Sequence, residues 1–141
     1  MKVAKRFRWE AAHRLTDHPG ACKSIHGHSY EMTVILSGDV DKNGMVVEFA
    51  DLKAWMKPLV DSWDHATLVY EGDSDLRGML GSLGMKMAVL PFESTSENLC
   101  RAALAHLKTV AGEELRRRGI TDITIRLSET ETCFAELTES V

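Results

Sequence analysis

Between Val3 and Ser37 two alternating runs are separated by a loop, and three histidines stand where the runs meet. In the first run Val3, Phe7, Trp9, Ala11 and His13 share one parity, opposite Arg6, Arg8 and Glu10. In the second, His28, Tyr30, Met32, Val34 and Leu36 alternate with Ser29, Glu31, Thr33 and Ser37. A period of two predicts strands with one buried face, here lying antiparallel. The connection, residues 14–25, holds Pro19-Gly20 and no periodicity, and so reads as a loop. His26 and His28 are two residues apart in an extended chain and point to one face. They make half of a divalent metal site. His13, at the end of the first run and on the face of Trp9, is the natural third ligand. Three neutral imidazoles with one open position form the donor set of a catalytic zinc. Cys22 leaves a second arrangement open, a closed Cys-His₃ structural zinc. His18, in the same loop, reads as solvent-exposed.

Beyond these runs, Gly38 to Gly44 with Asp39, Asp41 and Asn43 predicts a turn, and Met45-Val46-Val47 a short third strand. Phe49, Leu52, Met56, Leu59, Val60 and Trp63 recur at helical spacing, so a helix is expected over 50–62. Pro58 falls inside it and predicts a kink or local break. Residues 70–93, with four glycines and one apolar run at 87–90, read as an irregular excursion. Ser94-Thr95-Ser96-Glu97 is a capping-box signature for a second helix. Its apolar face is expected to hold Leu99, Ala102, Ala103, His106, Leu107 and Val110. Arg116-Arg117-Arg118 before Gly119 complements the dipole at that helix's end. A strand over 123–129 and an extended piece around 134–137 complete the chain. Ile123, Ile125 and Leu127 put Glu129 at the end of an apolar row, where a carboxylate needs a partner. The element order predicts an α+β domain spanning 1–141, an antiparallel sheet with two helices packed on one face.

With 141 residues, 44% of them hydrophobic, the chain can bury a full core. A net charge of −4 with scattered cations argues against a nucleic-acid surface. No apolar stretch approaches the ~20 residues of a membrane span. The charged N-terminus lacks a signal-peptide core, and three widely spaced cysteines suit reduced thiols. A cytoplasmic protein is expected.

The motifs in order are Phe7-x-Trp9-Glu10-Ala11-Ala12-His13, Cys22-x₃-His26-Gly27-His28-Ser29-Tyr30, and Gly44-Met45-Val46-Val47-Glu48-Phe49-x₂-Leu52-Lys53. Asp64-His65, Thr95-Ser96-Glu97-Asn98-Leu99 and Glu129-Thr130 follow. Together they resemble the 6-pyruvoyltetrahydropterin synthase / 6-carboxytetrahydropterin synthase family. The three residues between Cys22 and His26 match its bacterial 6-carboxy branch. The resemblance implies a tunnelling fold (T-fold) whose subunits join edge to edge into a β-barrel trimer, with two trimers stacked as a homohexamer and active sites between subunits. It implies Zn²⁺ on His13, His26 and His28, proton transfer by Cys22 with the Asp64–His65 pair, and a pterin anchor at Glu129 aided by Thr95 and Ser96. The implied substrate is 7,8-dihydroneopterin triphosphate. In the 6-carboxy branch the products are 6-carboxy-5,6,7,8-tetrahydropterin, a queuosine precursor, with acetaldehyde and triphosphate.

Four departures stand out. Trp63 precedes the Asp-His pair, Val69 replaces an asparagine, residues 70–93 are longer than usual, and Glu131 stands where proline is common. Glu131 is therefore a second carboxylate near the anchor position. Two alternatives remain beside the 6-carboxy reaction: a 6-pyruvoyl product, or a non-catalytic domain with a structural Cys-His₃ zinc.

Overall fold

The computed structural model describes residues 1–141. Six strands form one sheet: β1 (Lys2–His13), β2 (His26–Gly38), β3 (Ala66–Tyr70), β4 (Met87–Leu90), β5 (Ile120–Ser128) and β6 (Phe134–Ser140). Three helices accompany them: α1 (Phe49–Trp63), α2 (Ser74–Ser82) and α3 (Ser96–Arg117). The strand order is β4-β3-β1-β2-β5-β6. The α+β class is as expected, with a mixed sheet and one helix more than the sequence pattern indicates.

β1 and β2 pair antiparallel without interruption from Lys2↔Ser37 to His13↔His26. On the outer face Arg8 Nε donates to Glu31 at 2.8 Å across the ladder. On the inner face Phe7, Trp9, Tyr30, Met32, Val34 and Leu36 are buried, and Trp9 stacks on Tyr30 with ring centroids 5.3 Å apart. β5 continues this face through Ile123, Ile125 and Leu127, all fully buried. α1 and α3 cover it, α1 through Leu52, Met56 and Trp63, α3 through Leu99, Ala103, Leu107 and Leu115. Val110 lies outside the buried stripe of α3, and Cys100, Leu104 and Ala111 lie within it. Gly119 (φ 74°) ends the helix in the left-handed region. Arg118, one residue earlier, bonds Glu114 and Asp51.

Three expectations change. Met45-Val46-Val47 is not a strand: Val46 and Val47 are buried in the core from an irregular segment with no ladder partner. α1 runs unbroken through Pro58, whose ring lies on the exposed side. In the preceding turn the carbonyl of Trp55 accepts from His106 Nε2 at 2.9 Å, so His106 links α3 to α1. Residues 70–93 are ordered rather than irregular. β3 pairs parallel with β1, from Ala11↔Ala66 to His13↔Leu68, and β4 pairs parallel with β3. α2 is the crossover between them, and it packs Leu76 and Leu80 on Val69, away from the main core that takes Leu68. β3 is thus covered on both faces, the usual condition of a parallel strand. No helix is long and apolar enough to cross a membrane.

Asp73 caps α2, accepting from Leu76 N at 3.2 Å, and binds Arg14 through two oxygens at 2.6 and 2.7 Å. The hydrogen bonds from Arg14 hold this carboxyl below its ordinary 3.8, outweighing the opposing effect of burial, with the Leu76 amide assisting. As pH falls through 3.8 the unfolded chain takes up a proton that the folded carboxylate refuses. The pair's stabilisation is therefore complete above that pH and is lost as pH falls through the lower folded value. Asp73→Asn should lower stability at neutral pH by roughly 2 kcal/mol and flatten the further loss below about pH 4, read by urea denaturation at a series of pH values. A variant with the wild-type acid limb would show that other carboxylates set it.

Candidate metal centre and active site

The β1–β2 register sets His13 directly opposite His26 at the open end of the ladder, with His28 opposite Ala11. All three rings lie on the face of Trp9 and Tyr30. Their centroids are 4.6, 5.0 and 5.2 Å apart, and one ligand nitrogen from each lies within 4.8 Å of the others. His13 is 2% exposed, while His26 and His28 are half-buried, so the cluster is approached from their side.

Hydrogen bonds fix the tautomers. His13 Nδ1 sits 3.0 Å from the Ser94 carbonyl and 3.1 Å from its hydroxyl, and His26 Nδ1 sits 2.8 Å from the Ser24 carbonyl. A carbonyl only accepts, so each Nδ1 carries the proton and donates it. The neutral rings then turn bare Nε2 lone pairs toward each other, 3.1 Å apart. Two lone pairs at that distance repel unless a cation lies between them. The spacing is close to the roughly 3.3 Å expected of two nitrogens on one tetrahedral zinc. Burial lowers the pKa of His13, and the charges of His26 and His28 lower it further; the Ser94 carbonyl and Glu129 oppose this. The net shift favours the neutral imidazole, the form that ligates metal. These residues fit a divalent metal.

Cys22 lies half-buried in a single 3-10 turn, Ala21–Lys23, and is a free thiol. The mutually close ligand atoms include no thiol, which weighs against a closed Cys-His₃ site. His18 is half-buried rather than exposed, and its Nδ1 accepts from Gly20 N at 3.0 Å, so it closes its own loop.

Glu129 directly follows β5, half-buried, and its amide donates to the Cys133 carbonyl at 3.2 Å. Its charge reaches both His13 and Tyr30. Burial, with Glu129 adding, pushes the Tyr30 hydroxyl far up, so it stays protonated 3.4 Å from His13 Nδ1. Glu131 is exposed, and both carboxylates border a groove of about 910 Å³ on the sheet. Thr95, not Ser94, is the N-cap of α3: its hydroxyl accepts from Asn98 N at 3.3 Å and keeps its own proton free. Ser96 is half-buried in the first turn.

The Asp64–His65 pair sits apart from this group. Asp64 Oδ1 accepts from His65 Nδ1 at 2.9 Å and from Glu10 N at 3.1 Å, which hold its carboxyl below the usual range, the backbone amide contributing most. His65 takes φ 54°, and its side chain is 78% exposed. No hydrogen bond joins the pair to Cys22, Glu129 or the three histidines. A shallow cleft of about 470 Å³ borders both His65 and His28. Ser94 and Tyr30 also belong to the site, both within reach of His13 Nδ1, and no sequence pattern marks them. Ser94 resembles an ordinary cap in sequence, and only the tertiary fold brings it 81 positions back to His13.

Ser94→Ala keeps the carbonyl acceptor and loses the hydroxyl. Metal affinity should fall by about 10-fold, the lower end for such supporting partners, as measured by competition with a chromogenic chelator. Unchanged affinity would assign the orientation of His13 to the carbonyl alone.

The family model described as 6-pyruvoyl tetrahydropterin synthase matches residues 2–140. The 6-carboxy-5,6,7,8-tetrahydropterin synthase of Haemophilus influenzae is 35% identical over 146 residues, covering 98% of this chain and 99% of that protein. The protein of the same name from Rickettsia bellii is 31% identical over 141 residues, covering 97% and 99%. Among solved structures, the 6-pyruvoyl tetrahydropterin synthase of Plasmodium falciparum superposes with a TM-score of 0.81 at 20% identity, covering 100% of this chain and 98% of that one. That of Caenorhabditis elegans gives 0.67 at 27% identity, covering 100% and 95%. The fold is therefore the T-fold. With a full-length family match and relatives above 30% identity from end to end, the chain belongs to the 6-pyruvoyl tetrahydropterin synthase family.

Proposed function

We propose that this chain is a zinc-dependent lyase that converts 7,8-dihydroneopterin triphosphate to 6-carboxy-5,6,7,8-tetrahydropterin with release of acetaldehyde and triphosphate. The observation that carries the reading is the proximity of two unlike devices. Three histidines suited to a divalent metal meet Tyr30, whose hydroxyl is 3.4 Å from His13 Nδ1, and Tyr30 lines a groove that the half-buried carboxylate Glu129 also borders. A metal alone would suit many reactions. A carboxylate in the adjoining groove suits a ligand with paired N–H donors, such as the N2-amino and N3 edge of a pterin. The names of the Haemophilus and Rickettsia relatives support the 6-carboxy product.

His13, His26 and His28 would hold the zinc. When bound, it supplies Lewis acidity to the neighbouring side-chain oxygens of the substrate. Glu129 accepts the ring's N–H groups and fixes its orientation, and the Thr95 hydroxyl and Ser96 close on the ring. Such positioning accounts for much of a catalyst's advantage. Cys22 removes and returns a proton at side-chain carbon. Asp64 keeps the proton of His65 on Nδ1, leaving Nε2 as the second proton carrier. The exposure of His65 and the unpaired edges of β4 and β6 support a homo-oligomer, a hexamer of two trimers, in which this pair meets the histidine cluster of another copy.

The direct test is incubation of zinc-loaded protein with the pterin triphosphate and detection of acetaldehyde, 6-carboxy product and triphosphate. The names of the solved neighbours favour a second reading, a 6-pyruvoyl product. Acetaldehyde release decides between the two, because only the 6-carboxy reaction breaks the carbon–carbon bond.

Cys22→Ala should retain one zinc and its fold while turnover falls by about 100-fold or more, since it removes a proton carrier and no ligand. His65→Ala should be comparably severe and Asp64→Asn less so. Near-normal turnover in Cys22→Ala would remove the thiol from the mechanism.

Glu129→Gln keeps the shape but turns an N–H donor toward the ring's own donors. Pterin binding should weaken by roughly 2–4 kcal/mol with zinc content unchanged, and Glu131→Gln should be mild. The reverse ranking in equilibrium binding would move the anchor to Glu131.

A further inference from the structure

Outside the candidate metal centre and the proposed anchor, two carboxylates grip the loop that carries Cys22. Both belong to the segment that the sequence pattern left without a role. Asp73 stands at the start of α2 and is 6% exposed, a depth at which an ionised group needs a partner. Its partner is Arg14, whose guanidinium donates from Nε and Nη2 to the two oxygens. Glu93, just before α3, accepts from the backbone N–H of Thr16 at 3.2 Å and from the Thr16 hydroxyl.

Between Arg14 and Thr16 lies Leu15, and its N–H donates to the carbonyl of Cys22 at 2.9 Å. Three consecutive residues directly after His13 are therefore tied in turn to Asp73, to Cys22 and to Glu93. Glu93 is itself held: its carbonyl accepts from Asn98 Nδ2 at 3.0 Å and from Thr95 N at 2.8 Å. Its neighbour Ser94 holds His13. Asp73 is held by the Tyr70 carbonyl through its own amide and by the cap of α2. Two rigid element ends thus grip the loop on either side of the one backbone bond that locates the 3-10 turn of Cys22.

We infer that Asp73 and Glu93 are positioning residues for the Cys22 thiol, and that the segment between them, α2 and β4, acts as a bracket that holds the 14–25 loop in register with His13. This rests on the proposed role of Cys22. The bracket acts on loop geometry and leaves the metal ligands in place. A loop of this length with no ladder of its own would otherwise sample many conformations. A displacement of about 1 Å at a proton carrier costs on the order of 100-fold in rate.

The test uses the zinc-loaded full chain and two variants that break the grip at different points. Asp73→Asn keeps the helix cap and breaks the ion pair; Thr16→Val removes the hydroxyl that Glu93 holds. Zinc stoichiometry and far-ultraviolet circular dichroism are recorded first. Amide hydrogen exchange at Leu15 and alkylation of Cys22 by iodoacetamide follow, with exposed Cys133 as internal reference. We expect Leu15 exchange to accelerate at least tenfold and Cys22 alkylation to change at least threefold relative to Cys133. We expect kcat to fall about 10- to 100-fold with KM within threefold. Should Asp73→Asn fail to fold, Thr16→Val alone decides. Wild-type exchange and alkylation in the folded variants overturn the inference, and so does a kcat within twofold of wild type. Exchange and alkylation need no pterin, so they judge the bracket even if the zinc-loaded wild type proves inactive on dihydroneopterin triphosphate, a result that sinks only the functional reading.

Discussion

Everything at the candidate metal centre depends on the register of one antiparallel pair. His13 faces His26 because β1 and β2 stay in step over their whole shared length, from Lys2↔Ser37 onward. A slip of β2 by one residue would turn His26 and His28 to the outer face and take Tyr30, Met32, Val34 and Leu36 out of the core. From Phe7 to His13 and from Tyr30 to Leu36 the inner row is buried, so the hydrophobic core itself pins the register. The charges on the outer face support the same alignment, with Glu31 between Arg6 and Arg8. Site geometry and fold stability are here one constraint, and a substitution that loosens this ladder disturbs both.

Burial then sorts the three histidines. His13 sits deepest, where desolvation favours the neutral ring and where Ser94 and Tyr30 surround Nδ1. His26 gains its tautomer from a local contact, the Ser24 carbonyl two residues away, so it depends on the loop rather than on the core. The cluster thus joins a ligand whose tautomer is set by the core to one whose tautomer is set by a loop, while the β1–β2 ladder keeps both in place. That loop has no ladder of its own, and Arg14 and Thr16 tie it to Asp73 and Glu93.

How much of this was legible in the sequence follows from which physical signals are local. The alternation from Val3 to Leu36 is local and strong, so β1, β2 and the shared face of His13, His26 and His28 can be read directly. The spacing of Leu52, Met56 and Trp63 likewise marks α1, and Thr95 lies within the predicted cap. β3 is invisible to the same reasoning because Ala66, Thr67, Leu68 and Val69 are all buried, and a strand covered on both faces has no alternation. α2 carries Gly78 and Gly81, which oppose helix formation; the Asp73 cap and two leucines resting on Val69 offset them, and both depend on tertiary structure. Val46 and Val47 show the opposite error. Their β-branched chemistry suits a strand, yet their burial is satisfied without a ladder. Ser94 and the Arg14–Asp73 pair join residues 81 and 59 positions apart, and no periodicity reports such pairs.

His65 ties these threads together. It is the sole non-glycine residue with positive φ, a conformation that costs on the order of 1–3 kcal/mol and persists only where its surroundings impose it. Here the chain leaves the end of α1 and must enter β3 alongside β1 within two residues. The His65 amide reaches the Glu10 carbonyl at 2.7 Å, Asp64 accepts from the Glu10 amide, and Lys86 Nζ donates to the carbonyls of Asp61 and Asp64 at 2.7 and 2.6 Å. These contacts hold the backbone of the turn and leave the imidazole outside, bound only to its own neighbour Asp64. A chain that needed this turn for folding alone would be better served by glycine, which takes the same φ without strain. A histidine in this place, with Asp64 holding Nδ1 and the ring turned to the surface, leaves Nε2 open, as its proposed role as second proton carrier requires.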